Sequence, residues 1–436
     1  MSAALELRVV GKLRRRILPF VILLYFVSFL DRVNVGFAAF GMNKAIGLTP
    51  AMFGLGGGLF FVSYFLFEVP SNLILYRVGA RVWIARLMVS WGLVSAASAF
   101  VTGPHSFYAL RFLLGAAEAG FFPGIILYLS LWFPARHRAV AAAAFMAAAP
   151  LSTAIGSPIS GAIMEMPPLA GLSNWQWLYI LEALPAIVLG LLVLRVLTDK
   201  PEQATWLQTD ERDWLVAELE RERSTRAADA GHVSGAWAAL GNPRVLALSL
   251  IYLGTSAGLY TLGLWAPLIL RQFGFTPLQT GLVNAVPSLV AIVAMIAWAQ
   301  HSDRTLERTW HVVIPCLLAW AGLAWAGVAQ TALAVVLALV IVNVGISAAK
   351  APLWAVPSAF LSGASAAAGI ALINSIGNLG GFIGPFLIGW LKQKSGSYAG
   401  GLFAVGGLLG LSAAMMLALS YQTAQRRDGG AGGTEP

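Results

Sequence analysis

The chain has 436 residues, of which 58% are hydrophobic and 11% charged, with a mean hydropathy of +0.77. Soluble domains carry about 25% charged residues, so a soluble globular protein is excluded and the apolar excess reads as lipid-facing surface. The net charge of +9 does not point to nucleic acid, because Lys and Arg fall in short clusters between apolar runs, as expected of a membrane protein.

A membrane-spanning helix takes about 20 apolar residues. The basic cluster Lys12-Leu-Arg14-Arg15-Arg16 precedes a first span at about 17–40. Basic then apolar resembles a signal peptide, but the run leads into Asp31-Arg32 without a small-residue cleavage site, so a retained helix is expected. Further spans follow at about 52–76, 83–102, 105–128, 139–163 and 175–197. Composition then changes: residues 198–244 hold nine of the nineteen acidic residues and six basic ones. Within them Asp210–Arg226 reads as a surface amphipathic helix, with Trp214, Leu215 and Leu219 on one side. Six more spans are predicted at about 245–271, 278–300, 311–331, 333–358, 365–391 and 398–421, with turns expected at Gln330-Thr331 and Leu361–Ser365. The tail 422–436 is Gly-rich and expected to be disordered.

The expected fold is therefore all-α, with 12 transmembrane helices. Its domains are a six-helix bundle over 1–197, a linker over 198–244, a second six-helix bundle over 245–421, and the tail. With the N-terminus inside, fourteen Lys and Arg lie on the inner side outside the linker, against Lys44, Arg271, Lys392 and Lys394 on the other. That places both termini in the cytoplasm. The halves also look like repeats. Arg77 and Arg304 are 227 residues apart, and Gly156-Ser-Pro158 with Gly161 matches Gly384-Pro385 with Gly389 at an offset of 228. Parallel six-helix repeats are a transporter architecture.

Ionisable residues inside spans are the candidate site. Asp31 and Arg32 sit between two uncharged runs, Ile17–Leu30 and Val33–Asn43. A charge at that depth costs about 2.5–3.5 kcal/mol on insertion scales. Such residues line a pathway, or form a neutralised pair that stiffens a helix contact. Arg111 and Glu118 share a helix face but lie about 10.5 Å apart along the axis. Each therefore needs a partner on another helix. Asp31 at about 21 Å from one side and Arg111 at about 9 Å from the other coincide in a core about 30 Å thick. The expectation is an Asp31–Arg111 pair in at least one conformation, with Glu118 left to Arg32 or water. A carboxylate there can carry a proton, and an arginine fork can hold a substrate carboxylate bidentately.

Other candidates carry alternatives. Glu68 and Glu182 read first as helix-contact or helix-end hydrogen-bonding groups. Lys350, the one charge in the membrane part of the second half, either meets a substrate carboxylate or caps a helix carbonyl. Tyr260, Trp265 and Trp354 are packing aromatics or pocket walls. The glycines of Leu55-Gly56-Gly57-Gly58 lack a following Lys-Ser/Thr, so helix packing explains them better than phosphate binding. Cys316 is the lone cysteine and the five histidines are scattered, so no metal site and no cofactor is expected, and no nucleophile–base constellation suggests an enzyme.

Several stretches carry a family resemblance: Leu30-Asp-Arg-Val-Asn-Val-Gly-Phe37, Phe65-Leu-Phe-Glu-Val-Pro-Ser-Asn72, Leu110-Arg-Phe-Leu-Leu-Gly-Ala-Ala-Glu-Ala-Gly-Phe-Phe-Pro123, Asn174-Trp-Gln-Trp177 and Ile373-Asn-Ser-Ile-Gly-Asn-Leu-Gly-Gly381. Over about residues 12–421 the chain resembles the major facilitator superfamily, and within it the anion:cation symporters, which include tartrate, phthalate, hydroxyphenylacetate and sugar-acid permeases. The superfamily loop motif Gly-x-x-x-Asp-Arg-x-Gly-Arg is degenerate in its first copy. Asn72 and Tyr76 stand for the Gly and Asp, while Arg77, Gly79 and Arg81 remain; the second copy keeps Asp303-Arg304. The resemblance implies two pseudo-symmetric bundles working by alternating access, and proton-coupled uptake of an organic anion by a monomer in the inner or plasma membrane. It makes Asp31 and Glu118 the protonatable carboxylates, Arg32 and Arg111 the membrane-embedded arginines, and Tyr64 and Asn374 substrate contacts. A glutamine that holds the sugar acid in those relatives aligns roughly with Ala149, which favours a less polar, aromatic carboxylate. A proton-driven exporter of drugs or anions on the same fold is the second reading. An integral membrane enzyme or a channel is weaker.

Overall fold

The computed structural model describes residues 3–229, 241–357 and 363–431. The expected turn at Leu361–Ser365 and the linker stretch 230–240 lie partly or wholly outside them. Among the described residues, twelve helical stretches are long and apolar enough to cross a membrane. The chain groups into two compact units. The first is Met1–Leu48, Leu59–Gly231 and Thr276–Gly281; the second is Thr49–Gly58, His232–Phe275 and Leu282–Pro436.

The first unit begins with a surface helix, α1 (Ala3–Arg16), and α2 (Leu18–Ala45). Pro19 separates them, because it has no N–H to offer the carbonyl of Arg15. Then come α3 (Pro50–Val78), of which the part from Leu59 belongs here, and α4 (Ala80–Ala97). The fourth span is two helices, α5 (Pro104–Glu118) and α6 (Phe121–Trp132). Pro123 cannot bond back to the Ala119 carbonyl, and Gly120 takes φ +88°, a conformation open to glycine. The fifth span is also split, into α7 (Ala135–Met146) and α8 (Ala148–Met164), with Pro150 four residues after Met146. The sixth is α9 (Asn174–Val196). Within the unit α4 packs along α9, and α2 lies against α8 and α9. The core of the unit buries Phe37 of α2, Trp91 of α4, Phe121 and Tyr128 of α6 and Phe145 of α7.

The linker helix α10 (Thr209–Asp229) belongs to this unit through an ion-pair lattice rather than standing apart. From α1, Arg8 Nη2 reaches Asp210 Oδ2 at 2.8 Å and Lys12 Nζ reaches Glu211 Oε2 at 2.7 Å. Glu6 Oε1 bonds Arg136 Nε at 2.6 Å and His137 Nε2 at 2.7 Å at the start of α7. Glu222 Oε1 accepts from the Ala135 amide at 2.7 Å, where the helix N-terminus favours a negative charge. The Glu211 side chain is fully buried. Burial works against its charge, but Lys12, the Gln208 amide and Arg8 outweigh that and hold the carboxyl below its ordinary value of about 4.5. A carboxylate with a depressed value stabilises the fold above the unfolded-state pKa and loses that contribution as pH falls through the folded-state pKa. Acidification through the carboxylate range should therefore loosen α1 from α10, and Glu211→Gln should do the same at neutral pH. Hydrogen exchange at α10 amides, corrected for intrinsic rates, reads this out; equal protection in Glu211→Gln and parent would discount the lattice.

The second unit holds α11 (Pro243–Arg271), α12 (Pro277–Thr305), of which the part from Leu282 belongs here, α13 (Thr309–Val328), α14 (Ala332–Ala355), α15 (Gly363–Asn378), α16 (Gly380–Ser395) and α17 (Ala399–Ala431). The turn expected at Gln330-Thr331 lies between α13 and α14. Helix α11 packs against α15, α16 and α17, and α13 against α14 and α17. Val245, Leu248, Ile251, Val312, Cys316 and Leu353 form one buried cluster. The tail expected to be disordered from Gln422 is helical through Ala431. Gln422-Thr-Ala-Gln-Arg-Arg427 are mostly good helix formers and simply extend the last span; 432–436 lie outside the described residues.

Candidate functional site

Asp31 and Arg32 are neighbours on α2, so their side chains leave the helix about 100° apart. They go to different partners. Asp31 is 2% exposed. Its Oδ1 accepts from Ser95 Oγ on α4 at 2.6 Å and from Asn34 Nδ2, one turn along α2, at 3.2 Å. Arg32 Nη2 instead donates to Glu118 Oε1 at 2.6 Å, and Ser28 Oγ donates to the same oxygen at 2.7 Å. Ser28 and Arg32 are four residues apart, so one face of α2 presents both donors to the last residue of α5. The Glu118 side chain is 1% exposed and that of Arg32 13%.

Phe60 and Tyr64 are likewise four apart on α3 and supply the aromatic wall. Arg32 Cζ lies 4.9, 5.3 and 5.7 Å from the ring centroids of Phe29, Phe60 and Tyr64. Arg111 Cζ lies 5.1 Å from the same Phe60 ring. Two guanidiniums thus share one aromatic ring in a low-dielectric setting, where their mutual repulsion is weakly screened. Only one of them has an acid: among the described residues Arg111 makes no ion pair, and its buried Nε has no hydrogen-bond partner. An anion placed there would offset an existing repulsion and find donors waiting.

The expected Asp31–Arg111 ion pair is not formed in this conformation. Asp31 is held instead by Ser95 and Asn34, and its Oδ2 has no hydrogen-bond partner among the described residues. Depth along the membrane normal set the two residues level, but it did not set the rotation of α2, which turns Arg32 toward α5. Ser28, Ser95 and Phe60 were missed. Ser28, one turn before Arg32, was the legible one.

Of the second-unit candidates, Trp265 is committed to packing. It is 2% exposed, its Nε1 donates to the Pro385 carbonyl at 3.1 Å, and it stacks edge-on with Phe53 and Tyr398. Tyr260, Asn374 and Lys350 are half-buried. Trp354 packs on Tyr252 at 5.0 Å. In the loop motifs Gly79 has φ +100° and starts α4. The Arg81 amide donates to Asp199 Oδ1 at 2.8 Å, and its Nε lies 3.6 Å from Oδ2. Asp199, just past the sixth span, thus supplies the carboxylate that the degenerate motif lacks at Tyr76. Arg77 and Arg304 are exposed, and Asp303 pairs with Arg308 at 2.8 Å.

The family model of the Major Facilitator Superfamily matches residues 21–385. A protein of Agrobacterium vitis named "Putative tartrate transporter" is 60% identical over 420 residues, 96% of each chain. The "Quinolone resistance transporter" of Acinetobacter baumannii is 40% identical and covers 89% of each chain. The "Putative metabolite transport protein NicT" of Pseudomonas putida is 39% identical over 95% of each. Among solved structures, the D-xylose-proton symporter superposes with a TM-score of 0.74 at 13% identity, over 92% of this chain and 96% of that one. At that identity the likeness shows the fold alone. A family match across most of the chain, relatives all named as transporters and twelve candidate spans lead to one assignment: the chain belongs to the Major Facilitator Superfamily of membrane transporters and is not an enzyme.

Proposed function

We propose that the protein is a proton-coupled symporter that takes up a small hydroxy-dicarboxylate of the tartrate type across the inner membrane, with both termini cytoplasmic. The observation that carries this reading is the pair of guanidiniums over Phe60, of which only Arg32 is matched by an acid among the described residues. A dicarboxylate offers one carboxylate to each arginine. The name of the 60% identical relatives points to the same chemistry, and outweighs the aromatic preference drawn from Ala149.

Coupling follows from competition. Glu118 and a substrate carboxylate both want Arg32. A proton on Glu118 removes its charge and frees the guanidinium, so proton and anion bind cooperatively, and linkage makes the effect reciprocal. A carrier that moves only when both are bound is a symporter. Lys350 and Asn374 are proposed as further substrate contacts, and Arg77, Arg81, Asp303 and Arg304 as parts of the loops that gate access.

The test is uptake of labelled L-tartrate into vesicles containing the purified protein, with a pH dye inside. An inward proton gradient should drive accumulation, accompanied by internal acidification and abolished by a protonophore. The second reading, a proton-driven exporter, is favoured by the relative named for quinolone resistance. Proton movement opposite to substrate, or movement of a quinolone and not tartrate, would establish it instead.

A further inference from the structure

Twelve candidate spans put the turn between α12 and α13 on the same side of the membrane as both termini. Three titratable side chains stand in a row at this turn. His301 of α12 is exposed, and His311 of α13 is 5% exposed. His301 Nδ1 lies 2.7 Å from His311 Nε2, and His311 Nδ1 lies 2.7 Å from Glu307 Oε2. Trp298 closes the row. Its Nε1 donates to the His311 carbonyl at 3.0 Å, and its ring stacks on His301 with centroids 6.1 Å apart. Together these groups fasten the end of one span to the start of the next. The turn needs fastening, because Leu306 holds φ +54°, a region that L-residues seldom take.

The partners decide which nitrogens carry protons. Glu307 accepts from the Trp310 amide at 2.8 Å and from the His311 amide at 3.2 Å. Burial works against its charge, but those amides and the His311 ring outweigh it and hold the carboxyl below its ordinary value of about 4.5. An ionised carboxylate only accepts, so His311 Nδ1 carries a proton. The contact between the rings needs one N–H and one lone pair, so one proton sits between them. His301 Nε2, which no bond among the described residues takes, is left for one more. With that proton the row is neutral overall and its bonds are charge-assisted. A second added proton would make both rings imidazoliums and leave the 2.7 Å contact with no acceptor.

Neighbouring charges are turned elsewhere. Asp303 and Arg308 pair with each other at 2.8 Å, and Arg304 is exposed. The face of α14 against α13 carries Gly345, Ala349 and Leu353, and Lys350 sits about 100° round the helix from Ala349. On α17, Ser420 Oγ accepts from Thr309 at 3.2 Å, and Arg426 and Arg427 lie more than a turn further along that helix.

We propose that His301, His311 and Glu307 form a clasp between α12 and α13 that takes up a single proton from the solution on this side and tightens with it. The proton leaves a hydronium ion, one N–H bond forms on an imidazole, and no other bond breaks. Histidine changes its charge between about pH 5 and 8, so the clasp is loose at the alkaline end of that range and firm toward the acid end. The turn it holds carries Asp303-Arg304 of the loop motif. Resting on the symport reading, protons carried inward arrive on this side and would firm the loop that gates access, which ties the carrier to its own product.

The experiment uses the purified full chain in lipid vesicles, without substrate. Nitrogen NMR of protein labelled in its histidines, assigned with His301→Gln and His311→Gln, should show the two rings moving together as pH falls from about 8 to 5, with one proton gained between them. Amide hydrogen exchange at the turn, corrected for intrinsic rates, should slow several-fold over the same fall in the parent. It should stay level in His301→Gln, whose amide can still donate to His311 but does not titrate. Two rings that each gain a full proton, a turn whose exchange ignores pH, or a His301→Gln protein that follows pH as the parent does would each overturn the proposal. Neither arm needs a substrate, so a parent that ignores tartrate refutes only the symport reading.

Discussion

Arg32→Ala is expected to abolish binding of the anion and to destabilise the first unit at the same time. The guanidinium is the buried partner of Glu118 at 2.6 Å. Removing one member of a buried pair costs about 3–5 kcal/mol, since the other charge is left behind. At about 1.4 kcal/mol per tenfold, 3 kcal/mol corresponds to more than a hundredfold shift of the folding equilibrium toward the unfolded state. Arg32→Lys should recover little of the binding, because an ammonium lacks the fork that meets a carboxylate with two parallel bonds. The double variant Arg32→Ala/Glu118→Gln separates the two effects. It should regain most of the thermal stability, having no stranded carboxylate, and none of the binding. Calorimetric titration with L-tartrate and a melting curve on the same samples test this. Unaltered binding in Arg32→Ala would make the arginine a structural residue. Binding that returns with stability in the double variant would show that its loss came from the fold.

The sequence carried the spans to within about five residues at each end, because apolar runs of about 20 residues between basic clusters have one cheap arrangement in lipid. The four charged candidates, Asp31, Arg32, Arg111 and Glu118, drew notice for the same reason: a charge in such a run stands out. Partner choice was less legible. Asp31 and Arg32 differ by one position, and that one position turned the acid toward Ser95 and the base toward Glu118. Only the packing of α2 against its neighbours fixes that rotation. The helix break after Glu118 was written in Gly120 and Pro123, yet a hydropathy reading runs straight through it. The break ends α5 at the carboxylate, leaving the final carbonyls of the helix without intrahelical donors. Ser28 could be read only from its spacing, one turn before Arg32, and Ser95 not at all, because serine in a membrane helix is ordinary.

Gly115→Ala is expected to cost both stability and binding, although alanine is the better helix former. Gly115 lies on α5, one turn before Glu118, where α5 crosses α3. A methyl group built there would sit 2.0 Å from the Phe60 carbonyl oxygen and 2.2 Å from Ser63 Oγ. The hydroxyl could rotate away, but the carbonyl belongs to the α3 backbone and can move only with its helix. In the interior of an exposed helix the same change gains about 1 kcal/mol. Overpacking a well-filled contact costs about 1–3 kcal/mol, and a rigid backbone neighbour puts this site at the upper end. The net sign is therefore destabilising, by about 1–2 kcal/mol if the helices part enough to relieve the clash. That parting displaces Phe60, the ring both guanidiniums face, so the anion site should widen and weaken even in protein that remains folded. Gly11→Ala in α1 is the control, because nothing lies within 4 Å of the added methyl, and it should be neutral or slightly stabilising. A Gly115→Ala protein that melts no lower than its parent and binds L-tartrate as well would mean that α3 and α5 can separate freely, and that the close crossing does not hold the two arginines over Phe60.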